Sequence, residues 1–265
     1  MKLKINKIIL FFCLLPCFLV CNTGTTNGQA IPVRKTQSSK TLRSMARVYM
    51  VYGEYINALR LADKALTAAR KEKATDNEVA MCLIDLATVH KNLGNLKDAE
   101  ELLEKAVQLQ EDVLGNHPYL AYTLRILSST YQEMGNEQQA NICIGRSIAI
   151  MLEFHSADDK AMAPFYVDKA QLLTAQNRLG KAESYYQTAM DLVNKSYGQE
   201  HLYTAEVLVG IAKLYLLQER YTESEELINR ATAIQERVYG ADHYLIASNS
   251  AGLRVEGDNH YSETE

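Results

Sequence analysis

The stretch Leu83–Glu100, LIDLATVHKNLGNLKDAE, decides the fold, because the chain writes variants of it five times. The other copies begin at Leu42 (LRSMARVYMVYGEYINAL), Leu124 (LRILSSTYQEMGNEQQAN), Tyr166 (YVDKAQLLTAQNRLGKAE) and Leu208 (LVGIAKLYLLQERYTESE), giving a period of 41 or 42 residues. Aligned this way, Ala46, Ala87, Ser128, Ala170 and Ala212 form one column. Gly53, Gly94, Gly135, Asn177 and Glu219 form a second, and Ala58, Ala99, Ala140, Ala182 and Ser224 a third. Ala65, Ala106, Ser147, Ala189 and Ala231 form the fourth.

Each column has a physical task. Small residues at the first, third and fourth columns let two helices approach closely, where a larger side chain would hold them apart. The glycine column falls between the helices, where a left-handed C-cap conformation costs glycine nothing. Asn177 can take that conformation at modest cost, whereas Glu219 is expected to use a different turn. Bulky residues recur at helical spacing around the small ones, as at Leu83, Leu86 and Leu96, or Leu124, Leu127 and Tyr131. Tyr49, Tyr131 and Tyr215 share a column and are expected to pack between helices. No long stretch alternates with period two. The reading is all-α, in antiparallel helix pairs, each pair a helix A and a helix B.

The loops sharpen this. Tyr197-Gly198-Gln199-Glu200-His201 and Tyr239-Gly240-Ala241-Asp242-His243 share a Gly-x-x-His pattern, and Leu114-Gly115-Asn116-His117-Pro118 is one residue shorter. With Glu111, Glu236, Ala99-Glu100 and Ala182-Glu183, the pattern resembles the tetratricopeptide repeat (TPR) of kinesin-light-chain type across residues 36–255. That type pairs asparagines in mid helix A to hold a peptide backbone. Here the matching positions read Arg43-Ser44, Ile84-Asp85, Arg125-Ile126, Val167-Asp168 and Val209-Gly210. The positions that a carboxylate clamp would use hold Arg47, Thr88 and Ser129.

The resemblance implies a right-handed superhelical solenoid of these helix pairs, with a peptide groove lined by helix A residues outside the repeat core. By column these are Lys40, Arg43 and Arg47; Met81, Ile84, Asp85, Thr88 and Lys91; Tyr122, Arg125, Ser129 and Gln132; Asp168 and Gln171; Glu206, Val209 and Lys213. The first of these groups is basic and the middle mixed, which suits a peptide with some acidic residues through charge steering. Simple solvation of an exposed face explains the Lys40/Arg43/Arg47 cluster equally well.

The start of the chain reads as a leader. Lys2, Lys4 and Lys7 precede an apolar run from Ile8 to Val20. Its helical length of about 20 Å is short of a bilayer core of roughly 30 Å. Residues 1–30 are therefore assigned to a signal peptide and linker, with cleavage after Ala30 or lipidation at Cys21 as the alternatives. The expected location is exported: periplasmic, secreted or lipid-anchored to a bacterial membrane. Residues 36–255 are assigned to five repeats plus a capping helix from about His243, and 256–265 to a flexible tail. Losing three lysines with the leader leaves 25 basic against 32 acidic residues, a charge of −7. Such an acidic balance argues against a nucleic-acid partner.

Catalytic and metal signatures are missing from the sequence: it has no glycine-rich phosphate loop, no Gly-x-Ser-x-Gly, and no Cys-x-x-Cys beyond the leader. His117, His201 and His243 occupy equivalent loops and read as loop or cap residues rather than ligands. Cys82 and Cys143 fall on apolar helical faces and read as buried free thiols. No cofactor is expected. The expectation is a non-enzymatic protein-interaction module, with a scaffold acting in trans with a separate protease or kinase, or a self-associating structural repeat, as alternatives.

Overall fold

The computed structural model describes residues 37–240. The expected leader with Cys21, the expected capping segment from His243 and the expected tail 256–265 lie outside them. Ten α-helices run in order: α1 Ser39–Val51, α2 Tyr55–Lys71, α3 Asp76–Asn92, α4 Leu96–Leu114, α5 Pro118–Glu133, α6 Glu137–Phe154, α7 Ala163–Ala175, α8 Leu179–Tyr197, α9 Leu202–Leu217 and α10 Tyr221–Tyr239. A 3₁₀ turn, Lys160–Met162, leads into α7. There is no strand among the described residues. Odd-numbered helices are helix A of each repeat and even-numbered ones helix B. Each A packs on its own B, each B on the next A, and successive A helices also touch, building a solenoid.

The small columns explain why the pairs close so tightly. Ala46, Ala87, Ala170 and Ala212 are fully buried, as are Ala58, Ala99, Ala140, Ala182 and Ser224. Where serine replaces alanine, its hydroxyl finds a backbone carbonyl across the same contact. Ser128 Oγ on α5 donates to the Ala140 carbonyl on α6 (2.8 Å), and Ser224 Oγ on α10 donates to the Ala212 carbonyl on α9 (2.9 Å). A buried hydroxyl is thereby satisfied without widening the helix pair.

All five A–B turns are the same turn. Gly53, Gly94, Gly135, Asn177 and Glu219 have φ of +73°, +80°, +75°, +54° and +60°. In each, the next amide donates to the carbonyl five residues back, from Glu54 to Tyr49, Asn95 to His90, Asn136 to Tyr131, Arg178 to Leu173 and Arg220 to Tyr215. That is the closing bond of a Schellman motif. Glu219 therefore does not use a different turn, as its side chain suggested; it takes the left-handed one. The motif's hydrogen bonds and the Arg220 guanidinium, 3.6 Å from the centre of the Tyr215 ring, hold it there.

Helix starts are also written into the sequence. Thr75 and Glu78 form a reciprocal capping box at α3. His117 and His201 cap α5 and α9, each Nδ1 accepting from the amide two residues on (3.2 Å both). Two of the three loop histidines are thus helix caps. Cys82 and Cys143 are buried and unbonded, and burial pushes the Cys143 thiol up to about 11. One apolar core runs from Leu42 to Leu214, with a small separate cluster of Ala205, Leu208, Ala231 and Ile234 in the last repeat.

Candidate binding site on the helix A wall

The sequence-selected residues do lie on the odd-numbered helices, yet the structure treats them unequally. Met81 and Thr88 are half-buried, and Ile84 and Asp85 are buried. Lys40, Arg47, Tyr122, Gln171, Glu206 and Lys213 are exposed, whereas Arg43, Lys91, Arg125, Ser129, Gln132, Asp168 and Val209 are half-buried.

The cause is a ladder of charges between neighbouring A helices. Arg43 Nε meets Asp85 Oδ2 at 2.6 Å, and Arg47 meets Asp85 Oδ1 at 2.8 Å. One step on, Lys91 Nζ donates to Ser129 Oγ (2.7 Å) and to Glu133 (3.0 Å). Arg125 then reaches Asp168 at 3.3 Å. Lys40 joins the set through Glu78 at 2.7 Å. The Arg43–Asp85 and Arg125–Asp168 pairs are equivalent, two repeats apart, and occupy the very columns that read as paired positions in mid helix A. Much of the basic cluster is therefore neutralised inside the wall.

The ladder differs along its length. Asp85 has three donors in two arginines. Among the described residues Asp168 has only Arg125, whose Nε is buried without a hydrogen-bond partner. Burial accordingly raises the Asp168 carboxyl to about 6, although Arg125 pulls in the opposite direction. Glu206 is exposed as a residue, yet enough protein surrounds its carboxyl to raise it too, again with Arg125 opposing.

A cleft opens beside these carboxylates. It encloses about 80 Å³ and is lined by Tyr122, Lys160, Pro164, Tyr197, Tyr203 and Glu206 among others. Tyr197 stacks on the capping His201 (centroids 4.6 Å apart), and Tyr203 tilts against both. Lys160 Nζ lies 5.4 Å from the centre of the Tyr197 ring. The Arg125 guanidinium lies 5.9 Å from the Tyr122 ring and 5.7 Å from that of Phe165.

Comparison with known proteins now places the chain. The tetratricopeptide repeat profile matches residues 37–112, 83–153, 162–237 and 203–263. The chain belongs to the tetratricopeptide repeat family. Solved TPR structures share the fold. One, from Podosopora anserina, consists of nearly identical TPR-like repeats of kinesin-light-chain type. It is 21% identical at a TM-score of 0.55, over 76% of this chain and 96% of that one. BtubC (BKLC) from P. vanneervenii is 15% identical at a TM-score of 0.59, over 76% of this chain and 81% of that one. No curated protein matches the sequence. TPR arrays typically serve as protein–protein interaction scaffolds, so the helix A wall is the part of this TPR chain to read for binding.

Two features of that wall escape the column list. The ladder is visible as opposite charges one period apart, Arg43 with Asp85 and Lys91 with Glu133, a signal that side-by-side columns conceal. Lys160, Tyr197 and Tyr203 are the other omission. They come from loop and helix-end positions, and the sequence hint is the fourth repeat. There Ala161 and Pro164 stand where the flanking repeats place Tyr119 and Tyr122, then Tyr203 and Glu206. Among the described residues, no group of three His, Cys, Asp or Glu gathers where a metal could sit, and no helix is long and apolar enough to cross a membrane.

Proposed function

We propose that this TPR chain is an exported, non-enzymatic interaction module that binds a protein or peptide in a groove formed by its helix A wall. The observation that carries the reading is the ladder of inter-repeat ion pairs beneath an exposed polar and aromatic surface. Arg43, Asp85, Lys91 and Arg125 fix the spacing of successive A helices, while Tyr122, Gln171, Glu206 and Lys213 remain accessible above them. A surface fixed before binding leaves most of the ordering cost to the ligand. The expected partner differs from the acidic peptide that the N-terminal basic cluster first suggested, because those cations already hold internal carboxylates.

Export is supported by Lys2, Lys4, Lys7 and the apolar run that follows; lipidation at Cys21 and cleavage after Ala30 are its two forms. Cell fractionation of the wild type and of Cys21→Ala, with palmitate labelling, separates them. Retention of an uncleaved chain in the cytoplasm would contradict export altogether.

Binding is tested by site-specific photo-crosslinking. A crosslinker at Gln171, on the A wall, is expected to trap the same partner as one at Tyr122. One at Lys105, on the outer face of α4, should not. Trapping from Lys105 alone would sink the groove reading. A second reading, self-association, has its own observation: Met45, Val48 and Ile56 are exposed at the first repeat, with Ile56 71% accessible. Light scattering over a concentration series separates it, since a groove binder stays monomeric.

A further inference from the structure

We propose that the cleft between helix A of the third and fifth repeats receives an arginine side chain presented by a bound protein or peptide segment. This rests on the groove reading above and names what the groove selects.

The cleft exists because the fourth repeat is small at its upper rim. Helix α7 starts only at Ala163, after the 3₁₀ turn, and spans 13 residues where α5 and α9 span 16. In the column running Tyr122, Pro164, Glu206, the middle member is short; in the column Tyr119, Ala161, Tyr203 it is shorter still. The gap left between the long flanking side chains is about 80 Å³, room for a few waters or one planar side-chain head.

Its chemistry suits a guanidinium. Tyr122 and Tyr203 are 39% and 47% exposed, so part of each ring meets solvent beside its neighbours Phe165, and Tyr197 and His201. Glu206 sits on α9 one turn from Tyr203 and forms no ion pair within 4.0 Å among the described residues. Arg125, whose charge acts on the Glu206 carboxyl, is paired with Asp168. The protein around the Glu206 carboxyl pushes it up, a desolvation cost that an incoming cation would relieve, since Lys160, which lines the same cleft, lies over the Tyr197 ring instead. The molecule already shows the geometry on either side. Arg125 sits over Tyr122 and Phe165, and Lys160 over Tyr197, so cations rest on this aromatic wall at 5.4–5.9 Å. Arginine fits better than lysine, because its flat fork can stack on a tyrosine and still donate two bonds to one carboxylate. An acidic side chain would meet Glu206 and be repelled.

The test uses a displayed library of randomised peptides selected on the intact chain. Arginine should be enriched at one fixed position among the recovered peptides. Replacing it with citrulline, which keeps shape and removes charge, should weaken binding about tenfold. Glu206→Gln should weaken the arginine peptide by a similar factor while leaving the citrulline peptide unchanged, and Tyr203→Ala should weaken the arginine peptide. Glu206 is exposed, so an unchanged melting temperature confirms that its variant folds. Recovered peptides that lack a preferred basic position, or arginine peptides indifferent to Glu206→Gln, overturn the cleft while leaving the groove reading intact. Recovery of no peptide at all overturns both.

Discussion

At the scale of single residues, the wall is held by a few charges whose burial decides their weight. Asp85 is 4% exposed and serves two arginines. Asp85→Ala leaves Arg43 half-buried and unpaired, and is expected to cost about 3 kcal/mol in chemical denaturation. Arg47→Ala, at a side chain 51% exposed, should cost under about 1 kcal/mol. Equal losses from the two would mean the ladder has no buried anchor. Asp168 gives a pH signature of defined sign. Its carboxyl titrates near 6 when folded, above the ordinary 3.8, so the folded chain holds its proton where the unfolded chain has released it. This residue's contribution to stability therefore falls as pH rises from about 4 to about 6, and is level above. Asp168→Asn removes that slope: the variant should gain on the wild type across this window. A constant difference between them would contradict the assignment. Glu219, a non-glycine residue in a left-handed turn, is the opposite case, a local cost the fold tolerates. Glu219→Gly is expected to raise stability by about 1 kcal/mol.

At the scale of helices, closeness is the recurring constraint, and it was largely legible. The first and third small columns meet at the A–B contact and the fourth is fully buried, and four of the five left-handed A–B turns are at glycine or asparagine. Glu219 misled because its side chain argues against a conformation that the neighbouring Schellman hydrogen bonds impose. Gly210 shows a second limit. It stands in the column of Asp85 and Asp168, yet its role is steric: a Cβ there would fall 2.5 Å from Tyr186 Cε1, and Tyr186 is 2% exposed with no room to retreat. Gly210→Ala should therefore destabilise by about 1–3 kcal/mol in thermal or denaturant unfolding, although alanine is the better helix former. A gain in stability would show that α8 can move away. The ion-pair ladder was less legible, because it depends on which faces of successive A helices meet, and one sequence column does not state that.

At the scale of the whole array, the repeats make a surface that no single hairpin could form, since each helix A is positioned by its own B and by the A helices on either side. The fourth repeat interrupts the regularity and thereby opens the cleft, which is why a search for matching columns passes over it. The central claim is that partners meet the odd-numbered helices. Hydrogen exchange, read by mass spectrometry on the chain with and without a bound partner, tests it most directly. Slowed exchange is expected in α5, α7 and α9 and the 3₁₀ turn before α7, with α4, α6 and α10 unchanged. Protection confined to the even-numbered helices would contradict the account.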